Sequence, residues 1–121
     1  MKEKARPSFV GLHGKDLDLW LRTNALAWRL AKVFDLPLVC VEPKRRPNGA
    51  GGLCYHDEGR ISILLRRKAR AYDGGAWSKV PRSWVNVKST VAHELAHLIH
   101  PNHGKDFKAL EAEILAETAT D

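Results

Sequence analysis

Apolar residues recur at helical spacing along the first third of the chain. Leu17, Trp20, Leu21, Ala27, Trp28, Ala31 and Phe34 share one periodic stripe and Leu36-Pro37 supplies a stop, so the pattern predicts a helix over residues 15–34. Residues 38–42 read as a short buried strand ended by Pro43. Residues 51–55 and 60–65 flank His56-Asp57-Glu58-Gly59, a polar turn closing on glycine, which predicts a hairpin and, with the first strand, a small three-stranded sheet. Residues 69–81, with Gly74-Gly75, are expected to form a loop, and at that length a functional rim. Ser83 then caps a second helical pattern through Trp84, Val87, Val91, Leu95 and Leu98. Pro101 ends it, because proline disfavours helical geometry at His100 and donates no backbone hydrogen bond. Gly104 permits a turn, and Phe107, Leu110, Ile114 and Leu115 mark a last helix with Glu111, Glu113 and Glu117 on its solvated face. The order of elements is that of an α+β fold.

A chain of 121 residues fits one domain spanning 1–121. Hydrophobic residues at 44% and charged ones at 28% exclude a disordered or fibrous class. No apolar run reaches the roughly 18 residues of a membrane span, and the opening MKEKARPSFVGLHGKD lacks the apolar stretch of a secretory signal. The expectation is a soluble, cytoplasmic protein with no membrane partner. Two cysteines, Cys40 and Cys54, are too few for a disulfide framework or a four-thiolate zinc site and are read as small buried residues.

The net charge of +6 is uneven: residues 106–121 hold 1 Lys+Arg against 5 Asp+Glu, whereas residues 1–105 hold 19 against 9. Basic runs at Lys44-Arg45-Arg46 and Arg66-Arg67-Lys68 with Arg70 are read first as solvated loop or strand-end charge. Their second reading is a DNA-facing patch, since clustered cations steer polyanions before contact.

The strongest anomaly is histidine. Four of the six fall at His93, His97, His100 and His103. Residues 93–97 read His-Glu-Leu-Ala-His, the zinc-binding pattern of two imidazoles one helical turn apart with a glutamate between. At about 100° per residue His97 lies about 40° from His93, while the apolar stripe lies on the far side of the helix. Catalytic zinc takes three protein ligands and leaves a position for water. His100 and His103 are the candidates for the third. His100 would have to bend round a cation that its own helix already caps, whereas His103, beyond Pro101, reaches it from another direction and is favoured; His100 is then an accessory histidine. Glu94 is the candidate general base, moving a proton from water to the leaving amine of a peptide bond. Asp106, a candidate partner for His103, also suits the start of the last helix. Tyr72 is a candidate accessory residue for the oxyanion.

The run from His93 to Phe107, His-Glu-Leu-Ala-His-Leu-Ile-His-Pro-Asn-His-Gly-Lys-Asp-Phe, resembles the SprT-like and WLM-like (Wss1-type) zinc metallopeptidases. The resemblance implies a zincin-like fold: an N-terminal helix, a small three-stranded sheet whose edge aligns an extended substrate, an active helix and a C-terminal helix. It implies one zinc ion held by His93, His97 and His103, Glu94 as the catalytic glutamate, and protein or peptide substrates, including proteins associated with DNA. No cysteine cluster follows the last helix, so the zinc ribbon of longer SprT-like members is not expected and the chain reads as a minimal catalytic core. The competing reading is a nucleic-acid-binding or interaction module with a structural, non-catalytic zinc.

Overall fold

The computed structural model describes Leu12 and residues 14–44, 50–70 and 77–121. Its first element is helix α1, Lys15–Val33, opened by Gly14 at a positive φ of 61° and carrying Asp16 and Asp18 in its first turn, where acids complement the helix dipole. The buried face is Leu19, Trp20, Thr23, Leu26, Ala27, Leu30 and Ala31. Leu21 and Trp28, expected in the stripe, flank it and stay exposed. Thr23 sits in this apolar face without penalty because its hydroxyl donates to the Leu19 carbonyl at 2.7 Å.

Strands β1 (Cys40–Lys44), β2 (Gly52–Tyr55) and β3 (Arg60–Leu64) form a sheet in the order β1-β3-β2. β2 and β3 are the expected antiparallel hairpin, turning through a short 3-10 segment at His56–Glu58 and Gly59 at φ 65°. β1 pairs parallel to β3. Pro43 lies inside β1 instead of ending it. The Cys40 N–H and the Lys44 carbonyl both bond toward β3, so the alternating backbone of Pro43 faces the open edge, where a missing N–H breaks no ladder bond.

Both ends of the expected loop over 69–81 are strand: β4 (Arg66–Arg70) pairs antiparallel with β5 (Trp77–Pro81). Tyr72 and the Gly74-Gly75 pair lie outside the described residues, as do Arg45 and Arg46.

Helix α2, Trp84–His97, starts at Ser83, whose hydroxyl accepts from the Asn86 N–H. It lies against α1, α3, β2 and β3 and buries Val87, Val91, Ala92, Leu95 and Ala96. Helix α3, Lys105–Glu117, buries Phe107 and Ile114, with Leu115 exposed. Trp20, Leu30, Val41, Ile61, Ile63, Leu65, Leu95 and Ile114 complete a core in which α2 is gripped on several sides. Burying each large side chain contributes about 1.5–3 kcal/mol, so the helix with the histidine pair rests on a rigid bed.

Candidate metal centre

His93 and His97 face the same side of α2, and the chain returns after Pro101 to bring His103 against them. His103 Nε2 lies 3.0 Å from His97 Nε2 and 3.3 Å from His93 Nε2. Among the described residues, these three offer ligand atoms all within 4.8 Å of one another, and no fourth Cys, Asp, Glu or His joins them. Phe107, only 2% exposed, forms the floor: its ring centroid is 5.0 Å from that of His93, 4.5 Å from His97 and 5.0 Å from His103.

The opposite ring nitrogens fix the tautomers. His93 Nδ1 donates to Glu111 Oε2 at 2.8 Å, and His97 Nδ1 donates to the His100 carbonyl at 3.0 Å. A carboxylate and a carbonyl only accept, so each proton sits on Nδ1 and each Nε2 presents a lone pair to the centre. Burial, with His93 and His103 nearby, holds the His97 pKa below its ordinary value. Three convergent imidazoles suit a borderline divalent cation, and the all-nitrogen donor set fits zinc.

Glu94 points to the same cleft from one residue further along α2. It is 5% exposed, and its pKa is pushed up to about 7, chiefly by burial; Glu111 adds to the shift and His93 opposes it. Such a carboxylate exchanges a proton near neutrality. Strand β2 passes directly over it: a Cβ on Gly52 would lie 2.9 Å from Glu94 Cγ and 2.8 Å from Thr90 Cγ2. The cleft, about 360 Å³, runs between Gly52, Leu53 and Cys54 of the β2 edge and His93, Glu94, His97, Pro101 and His103. A contiguous recess of about 260 Å³ continues past His93 to Ser89, Thr90 and Glu111.

The expected residues therefore divide. His93, Glu94, His97 and His103 come together. His100 contributes its backbone carbonyl, not its ring. Asp106 is an exposed residue of the first turn of α3, and the carboxylate that orients an imidazole is Glu111, which the sequence reading placed on the solvated face. His56 also lines the cleft, its Nδ1 donating to the His97 carbonyl at 3.3 Å. The half-buried Cys54 thiol is pushed up to about 11 by burial and by Glu94, so it stays protonated at neutral pH.

Comparison with known proteins fits this geometry. Residues 86–120, which carry the three histidines, Glu94, Phe107 and Glu111, match the family described as "YgjP-like, metallopeptidase domain". The solved structure of Wss1 from S. pombe aligns with a TM-score of 0.60 at 21% identity, covering 90% of this chain and 88% of that one. The chain has the Wss1 fold and resembles the SprT-like and WLM-like metallopeptidases. No curated protein matches it. The family match supports a metallopeptidase-type function and the structural match the α+β architecture. Among the described residues, no helix is long and apolar enough to cross a membrane.

Proposed function

We propose that the chain is a zinc-dependent metalloendopeptidase in which His93, His97 and His103 hold the metal and Glu94 is the general base. The observation that carries this reading is the buried Glu94 carboxylate facing the same cleft as three imidazoles, with His103 Nε2 within hydrogen-bond distance of the Nε2 atoms of both His93 and His97. A structural zinc site closes on four protein ligands and has no use for such a glutamate.

A bound zinc supplies Lewis acidity, acidifying water and polarising a scissile carbonyl. Glu94, with its pKa near 7, takes the proton from water and delivers it to the departing amine. Glu111 and the His100 carbonyl keep His93 and His97 in the tautomer that leaves Nε2 bare. The β2 edge, whose outer side carries no neighbouring strand among the described residues, lies along the cleft and orders an extended peptide beside Glu94.

Proteins associated with DNA are the substrate class we favour. Lys68 and Lys79 stand directly opposite each other in the β4–β5 hairpin, a like-charge pairing that a polyanion relieves.

The test is to incubate zinc-loaded wild type and Glu94→Gln with denatured proteins, with and without DNA. The wild type is expected to produce fragments, faster with DNA-bound substrate, and Glu94→Gln none. A metal-loaded wild type that leaves every substrate intact contradicts the proposal and favours an interaction module with a non-catalytic zinc.

A further inference from the structure

One helical turn before Glu94, a guanidinium joins both walls of the cleft, and none of its hydrogen-bond partners among the described residues is acidic. Arg82 follows β5 and precedes α2. Its Nη1 donates to the Leu64 carbonyl at 2.9 Å, at the end of β3, and to the Gly51 carbonyl at 3.3 Å, just before β2. Its Nη2 donates to Thr90 Oγ1 at 2.9 Å, on α2. The Thr90 hydroxyl gives its own proton to the Asn86 carbonyl at 3.1 Å, so its lone pair is aimed at Arg82. The side chain is half-buried, and among the described residues no carboxylate pairs with it.

A cation withdrawn from water toward neutral acceptors alone adds little to stability that an apolar side chain of the same size would not. Its geometry is more informative. Backbone at Gly51 comes so close that a Cβ there would lie 3.3 Å from Nη2. Thr90 and Glu94 are one turn apart on α2, and β2 crosses both at the Gly52 contact. The spacing between strand and helix is thus limited in both directions. Gly52 sets the closest approach, and the Arg82 fork resists separation.

We propose that Arg82 is a positioning residue that fixes the gap between the β2 edge and Glu94, so that a peptide laid along β2 meets the carboxylate at constant reach. This rests on the peptidase reading of the site. A planar fork that satisfies two carbonyls and a hydroxyl at once is specific to arginine; lysine, a point donor on a flexible stem, does not hold three elements together. Small errors of reach are costly, since misplacement by about 1 Å reduces rate on the order of 10²-fold.

The experiment compares Arg82→Gln, Arg82→Lys, Thr90→Val and Thr90→Ser with the wild type, all zinc-loaded. Thr90→Val keeps the methyl that packs on Gly52 and loses the acceptor; Thr90→Ser does the reverse. The expectation is that zinc content holds in all four. Turnover should fall about tenfold or more in Arg82→Gln, Arg82→Lys and Thr90→Val, mainly in kcat with little change in KM, and Thr90→Ser should restore most of it. Amide hydrogen exchange at Gly52, Leu53 and Cys54, read on metal-free protein, should accelerate in the same three variants. Wild-type kcat in Thr90→Val, or a loss in Thr90→Ser as large as in Thr90→Val, overturns the proposal. Should the wild type cleave nothing, the peptidase reading fails on its own, and unchanged exchange in Thr90→Val then overturns the clamp separately.

Discussion

His93 Nδ1 and Glu111 Oε2 are 2.8 Å apart, and this contact ties the last helix to the chemistry of the helix before it. Glu111 lies on α3, eighteen residues beyond His93 in the chain. The arrangement of Phe107 beneath the three imidazoles and Glu111 beside the first makes α3 a structural half of the centre.

Glu111→Ala is therefore expected to weaken zinc binding by about 10- to 100-fold, the usual effect of removing a carboxylate that orients a metal-binding histidine. Glu111→Gln, whose amide oxygen still accepts from Nδ1, should lose less. Competition with a chelating dye at fixed pH measures both. Equal affinity in wild type and Glu111→Ala contradicts the assignment.

Gly52→Ala tests the contact over Glu94. The added methyl meets Thr90 Cγ2 at 2.8 Å and Glu94 Cγ at 2.9 Å, close to a rigid helix on one side and the sheet on the other. Overpacking of this kind costs about 1–3 kcal/mol, readable in a denaturant titration. Zinc content should be unchanged, because no ligand moves with Gly52, while turnover falls with the displaced carboxylate.

The raised pKa of Glu94 has a consequence for the metal-free protein. Folded, the group titrates near 7, against an ordinary carboxylate value of 4.5. Between those values the folded state holds more protons than the unfolded one, so this group's contribution to stability is greatest at low pH and is lost as pH rises through 7. The difference amounts to about 3 kcal/mol if burial is maintained. Lowered pKa at His97 acts in the opposite sense, so the quantity to measure is the stability gap between wild type and Glu94→Gln in the presence of chelator. That gap should move against the wild type from pH 4.5 to above 7 and then level off. A constant gap contradicts a buried, proton-holding Glu94.

The parts of the centre legible in the sequence were those whose geometry is local. His93, Glu94 and His97 are placed by helix periodicity alone, and Pro101 with Gly104 announced the turn that returns His103. Glu111 was not legible, because its face is decided by how α3 docks on α2 through Phe107 and Ile114, and nothing in its own neighbourhood distinguishes it from Glu113. The β4–β5 hairpin was hidden for a different reason. Arg66–Arg70 is almost entirely basic and carries no alternation of apolar and polar residues, the usual mark of a strand. Gly52 left a signal in the Gly51-Gly52 pair at the head of a predicted strand, where bare backbone often marks a close approach. Arg82 left none; only the tertiary structure sets its fork between two carbonyls and Thr90.

The central claim is that three imidazoles hold one metal ion, and zinc stoichiometry measures it most directly. Elemental analysis of wild type, His100→Ala and His103→Ala, each purified without added metal and then titrated with zinc, should give one zinc per chain for wild type and for His100→Ala, and a large loss for His103→Ala. A wild type that binds no zinc, or a His103→Ala protein that binds it as tightly as the wild type, contradicts the account.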